Sequence, residues 1–180
     1  FGFLFSVEID GLLESPLVVG ITLVLGGVIL LFVDRWFNRP QIDNSDDISY
    51  GQALKIGFFQ CLALIPGTSR SASTIVGGMT QQLTRKAAAE FSFFLAVPMM
   101  FGATVLKLKG FFDDGNTLSG TEINQLVVGN VIGFIVAIIA IKSFIGVVSR
   151  YGFKAFGWYR IVVGGIILAL LLSGHSLQII

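Results

Sequence analysis

Residues 53–79 read Ala53-Leu-Lys-Ile-Gly-Phe-Phe-Gln-Cys-Leu-Ala-Leu-Ile65, then Pro66-Gly-Thr-Ser-Arg70, then Ser71-Ala-Ser-Thr-Ile-Val-Gly-Gly-Met79. The first apolar piece is 13 residues long, contains Lys55 and Gln60, and is stopped by Pro66-Gly67. A helix of that length rises about 20 Å, against a bilayer hydrocarbon core of roughly 30 Å. Neither this piece nor the shorter one after it crosses a membrane alone. A re-entrant helix–loop–helix is the preferred reading of 53–79, and a single long broken helix is the alternative. Non-helical backbone at membrane depth survives only where protein or a wet cavity surrounds it.

The surrounding chain sets this segment in a membrane. Of 180 residues, 54% are hydrophobic and 13% charged, and mean hydropathy is +0.84. Soluble domains carry roughly 25% charged residues, so an ordinary cytosolic enzyme, a disordered chain and a disulfide scaffold are excluded. A net charge of +1 gives no signal for nucleic acid. The single Cys61 makes no internal disulfide. Four apolar runs are long enough to span, at about 17–33, 91–106, 126–141 and 156–172. Ser15 and Pro16 cap the first, and Pro98 is expected to kink the second. Polar loops are expected at 37–50 and from Lys107 to Gln125, with Arg160 in the last span snorkelling or buried. The fold class is therefore an all-α integral membrane protein, a helical bundle of four spans and one re-entrant pair in a single membrane domain over 1–180. The chain starts at Phe1, not Met, which suggests that an N-terminal portion is missing.

Lysines and arginines orient it. Residues 34–50, 80–90 and 142–155 hold seven of them, whereas the opposite side holds only Lys107 and Lys109. The positive-inside rule then places 1–15, 107–125 and the C-terminus outside the cytoplasm. Gly26-Gly27, Gly77-Gly78 and Gly164-Gly165 permit close helix approach, serving either internal packing or a homodimer face.

Arg70 carries the chemistry. An arginine at bilayer depth costs about 2.5–3.5 kcal/mol on insertion scales, and no carboxylate lies between Asp47 and Glu90 to pair with it. Its neighbours are Thr68, Ser69, Ser71, Ser73 and Thr74. Pro66-Gly67 ends one helix, and Thr68 or Ser69 can cap the next, so free N–H groups and the positive helix end sit beside a guanidinium. A planar fork of donors suits phosphate oxygens. These are the parts of a phosphate or diphosphate cradle. The alternative is that Arg70 pairs with a carboxylate elsewhere in the protein and the hydroxyls serve as caps and interhelical bonds.

Other phosphate chemistries fail on spacing. There is no Gly-Lys pair for a P-loop. Cys61 lies nine residues before Arg70, across a helix, and fits a buried apolar role better than a phosphatase thiolate. The Ser-Arg-x5-His pattern of membrane phosphatidic-acid phosphatases meets Val76 where its histidine would stand. His175, the one histidine, falls near the C-terminus, and no His or Cys metal site can be built.

Pro66-Gly67-Thr68-Ser69-Arg70-Ser71-Ala72-Ser73-Thr74 resembles the second signature of the bacterial undecaprenyl-pyrophosphate phosphatases, the bacitracin-resistance type, Pro-Gly-x-Ser-Arg-Ser-x-x-Thr. Every fixed position matches. The flanks Gly57-Phe-Phe-Gln-Cys-Leu-Ala-Leu64 and Glu90-Phe-Ser-Phe-Phe-Leu-Ala-Val-Pro-Met-Met100 are also similar to the family, and the resemblance runs along essentially the whole chain.

The resemblance implies hydrolysis of undecaprenyl diphosphate to undecaprenyl phosphate and inorganic phosphate. That reaction recycles the carrier for peptidoglycan synthesis in the bacterial inner membrane and confers bacitracin resistance. It also implies inverted-topology repeats, each donating a re-entrant pair, with 53–79 as the second. Catalytic roles are implied for Arg70, binding diphosphate and stabilising transferred charge, and less strongly for Ser69, which lacks a base in this chain. Ser69, Ser71 and Thr74 would donate to phosphate oxygens or orient Arg70. Gly67 would admit the ligand to the backbone, and Thr68 and Gln60 would line the site, Gln60 equally well making only an interhelical hydrogen bond. The family's first signature, Glu-x-x-x-Glu with a following Pro-x-Ser and histidine, is absent, so 1–180 alone is expected to be inactive. A divalent cation (Mg or Ca) is implied, with ligands outside this chain. The competing function is a lipid-phosphate flippase using the same arginine.

Overall fold

The computed structural model describes residues 15–174, all helices and connecting turns; among them there is no β-strand, only an isolated bridge between Ile42 and Leu83. His175 and the segment before Ser15 lie outside the described residues. Six α-helices follow in order: α1 (Pro16–Trp36), α2 (Tyr50–Gln60), α3 (Arg70–Thr80), α4 (Arg85–Asp113), α5 (Gly120–Tyr151) and α6 (Lys154–Leu172). Helices α1, α4, α5 and α6 are long and apolar enough to cross a membrane. The protein is an all-α, multi-pass membrane protein.

Local chemistry sets the helix ends. The Ser15 hydroxyl accepts from the Val18 amide and Pro16 opens α1. Ser49 and Gln52 form a capping box at the head of α2. Helix α2 ends at Gln60 and tightens into a 3-10 turn over Cys61–Leu64, with Ile65 extended ahead of Pro66. Helices α2 and α3 have 11 residues each and pack on one another.

The two middle spans are longer than their apolar runs. The expected polar loop from Lys107 to Gln125 shrinks to 114–119, because α4 continues to Asp113 and α5 starts at Gly120. Thr84 caps α4 on the Ala87 amide, ahead of three good helix-forming alanines, and Ser119 with Glu122 boxes the start of α5. At 29 and 32 residues these helices reach beyond the hydrocarbon into the headgroup layers. Helical structure runs through Pro98.

The core sits at one end of the bundle, around Val33, Ile56, Ile75, Leu83, Ala87 and Val148. Asp34 is its polar anchor. One carboxylate oxygen accepts from Arg85 Nε at 2.6 Å and the other from the Phe153 amide at 3.0 Å. The Gln41 and Ile42 amides both donate to the Gln82 carbonyl. Segments of all three arginine- and lysine-rich regions thus meet at this end.

Helices α1 and α6 run antiparallel in near backbone contact. Gly27 faces Gly157 and Gly20 faces Gly164, each seven residues on from the other in its helix. A Cβ on Gly27 would stand 2.7 Å from the Gly157 carbonyl, and one on Gly164 2.8 Å from the Gly20 carbonyl. Gly27 and Gly164, two glycines of the sequence doublets, therefore serve internal packing.

Candidate functional site

The site is the head of α3 and the turn before it. Gly67 takes φ +79°, a conformation side chains rarely accept. A Cβ there would collide with Thr22 Oγ1 and come within 2.8 Å of the Val19 carbonyl. Glycine is thus required by the turn and by packing against α1. The space where a side chain would stand is filled by α1.

Both turn carbonyls are held from outside the segment. Thr22 Oγ1 on α1 donates to the Pro66 carbonyl at 2.6 Å, and Arg160 Nη2 on α6 donates to the Gly67 carbonyl at 2.8 Å. The Thr68 amide closes back on Ile65 at 3.1 Å. Ser69 is the N-cap of α3, its hydroxyl accepting from the Ala72 amide at 3.3 Å. Among the described residues the Arg70 and Ser71 amides have no acceptor, so the start of α3 presents two free N–H donors.

Arg70 is half-buried and carries no ion pair among the described residues. Its Nη1 donates to the Ser92 carbonyl of α4 at 3.1 Å, and Nη2 lies 3.5 Å from Ser71 Oγ. Ser92 is itself fixed, its hydroxyl 2.6 Å from Thr74 Oγ1. Thr74 is buried, and its hydroxyl also approaches the Arg70 and Ser71 carbonyls at 3.1 Å. Thr74 therefore joins α3 to α4 beneath Arg70.

Arg70 and Gln60 line the same cavity, of about 370 Å³, with Gly57, Cys61, Leu64 and Met99. Gln60 donates weakly to Met99 Sδ at 3.4 Å, and its buried Oε1 has no partner among the described residues. Ser69 and Ser71 line a second cavity, of about 330 Å³, walled by Phe93, Phe144 and Phe156 and reached by Arg160. The arrangement offers an arginine, hydroxyls and two free amides around one helix end, a donor set suited to an oxyanion. Among the described residues no three His, Cys, Asp or Glu side chains come together. They do not fit a divalent ion.

Residues 1–166 match the family model described as bacitracin resistance protein BacA. The chain belongs to this family. It is 55% identical to an undecaprenyl-diphosphatase of Flavobacterium johnsoniae over 180 residues, covering 99% of this chain and 68% of the relative. It is 53% identical to the protein of that name from Porphyromonas gingivalis (99% and 63%) and 48% identical to the one from Bdellovibrio bacteriovorus (99% and 68%). The chain thus spans about two thirds of the length of these relatives.

Within this BacA-family chain, sequence reasoning singled out the Pro66–Thr74 segment but missed what holds it. Ser92, Thr22 and Arg160 were not among the candidate site residues. Only Arg160 carried a signal, as a charge inside an apolar span. Its ligand, the Gly67 carbonyl, is 93 residues away in the chain.

Proposed function

We infer that this chain carries the phosphate-binding half of an undecaprenyl-diphosphatase, a hydrolase that releases inorganic phosphate from the polyprenyl diphosphate carrier. The observation that carries the reading is Arg70. Among the described residues it is a guanidinium without an ion pair, fixed by the Ser92 carbonyl and set at a helix start with two free amides. The family and the relatives' names support hydrolysis over lipid transport.

Each residue then has a physical task. Arg70 binds diphosphate oxygens and stabilises the charge that builds as the phosphoryl group leaves. The Arg70 and Ser71 amides add donors whose direction is fixed by the helix. Ser69 and Ser71 each retain a hydroxyl proton to donate, because their recorded bonds use oxygen as acceptor. Thr74 and Ser92 set the height of Arg70 on the α3–α4 seam, and Gln60 lines its cavity opposite. On this reading the acid/base and metal-binding glutamates, with any Mg or Ca ion, lie outside residues 1–180. The product returns to envelope-polymer synthesis, which places the enzyme in the bacterial inner membrane.

The test is phosphate release from a prenyl diphosphate by full-length enzyme in detergent. Arg70→Ala is expected to lower kcat/KM about 100-fold or more while the helical circular-dichroism melt is unchanged. Turnover near wild type would make Arg70 structural and remove this site.

A further inference from the structure

We propose that Arg160 is a positioning residue: with Thr22 it clamps the two turn carbonyls before α3 and so aims Arg70 and the free amides at the substrate. Arg160 is 8% exposed and sits in the second turn of the last span. A charged group there is expensive and is a functional hypothesis by default. It makes no ion pair among the described residues, and its Nε is buried without a partner. What it does touch is backbone, the Gly67 carbonyl at 2.8 Å and the Thr22 carbonyl at 3.5 Å.

The geometry explains why the group is arginine and why its neighbours are small. Thr22 donates to one turn carbonyl and Arg160 to the next, so the turn is held by α1 and α6 together. Those helices are already locked by their facing glycines, so the clamp hangs from a stiff frame. Gly26 leaves room for the guanidinium, because a Cβ there would stand 2.7 Å from Arg160 Nη2. The turn ends at Ser69, the N-cap, so any slip of the Pro66 or Gly67 carbonyl tilts α3 and moves Arg70 with it. A displacement of about 1 Å at a reacting group can cost about 100-fold in rate.

The experiment uses full-length enzyme and two readouts, of which the kinetic one rests on the diphosphatase reading. Arg160→Met is expected to lower kcat about 10- to 100-fold with KM changed less than about threefold. Hydrogen exchange without substrate should quicken at the hydrogen-bonded amides of Thr68, Ala72 and Ser73 while α5 exchanges as in wild type. Arg160→Lys should restore part of the rate, since one ammonium can reach one carbonyl. Thr22→Val should act in the same direction and combine non-additively with Arg160→Met, the two sharing one turn. Gly26→Ala, which keeps the charge and crowds it, should give a weaker form of the same signature. A KM raised tenfold with kcat and exchange unchanged would overturn the proposal and make Arg160 a substrate ligand. Faster exchange along the whole chain would overturn it in favour of a general structural role. Wild-type protein that released no phosphate would refute the diphosphatase reading alone, and faster exchange confined to Thr68, Ala72 and Ser73 in Arg160→Met would still uphold the clamp.

Discussion

Glycines serve opposite purposes in two parts of this membrane bundle. In the α1–α6 pair each of Gly27, Gly157 and Gly164 faces a backbone carbonyl of the other helix at a distance no Cβ would tolerate. Along α5, Gly129, Gly133 and Gly146 have nothing among the described residues within 4 Å of where a Cβ would be, and the helix is almost wholly exposed there. The first pair is a rigid support fitted backbone to backbone, and it holds the turn before Arg70. The second is an apolar surface with Val131, Phe134 and Ile139 facing outward, composed for lipid or for another protein segment. Without a hydrophobic driving force between helices in lipid, close packing of small residues is what makes two spans associate. The site is hung from the part of the molecule where that packing is tightest.

The strongest way to break this contrast is Gly27→Leu. Its Cβ would meet the Gly157 carbonyl and Ile161 Cγ1, both at 2.7 Å, and backbone has no rotamer with which to yield. The expected cost is about 3 kcal/mol or more, at or beyond the top of the usual overpacking range. Thermal unfolding in detergent would show it as a lowered midpoint. A variant that melts with wild type would mean that the α1–α6 contact is slack and gives the Pro66–Gly67 turn no rigid frame.

A middle effect tests the seam under Arg70. Thr74→Val leaves the buried Ser92 hydroxyl, 2.6 Å from the lost oxygen, without its partner. An unsatisfied buried polar group costs about 1–3 kcal/mol, whereas replacing both partners can be nearly neutral. Thr74→Val should therefore destabilise by about 1–2 kcal/mol, and adding Ser92→Ala should recover most of it. Additive losses in the two variants would show that the hydroxyls act separately and that α3 and α4 are not joined through them.

Much of this was legible along the chain. Breakers and length marked the short helices before and after Pro66-Gly67, and local chemistry narrowed the cap to Thr68 or Ser69, of which Ser69 takes the role. The ends of α4 and α5 were misread because Lys107–Asp113 and Gly120–Gln125 are too polar for hydrocarbon yet remain helical in the headgroup layers. Of the supports of the site only Arg160 carried any signal, and not its partner. Arg70 rests on a carbonyl at Ser92, and Gly67 on a hydroxyl and a guanidinium from Thr22 and Arg160. A backbone carbonyl has no sequence signature, and pairings across 22 to 93 residues follow from how spans dock.

The smallest effect sharpens the comparison most, because it reverses the sign. Gly133 lies mid-helix in α5 with open space around it among the described residues. Alanine is better than glycine in a helix interior by about 1 kcal/mol, chiefly through the freedom glycine retains when unfolded. Gly133→Ala should thus leave the unfolding midpoint unchanged or raise it slightly, where a substitution at Gly27 lowers it. A clear loss of stability in the full-length protein would show that another segment packs closely on this face of α5. The glycine would then be doing there what Gly27 does against α6, and the contrast between the two regions would belong to residues 15–174 alone.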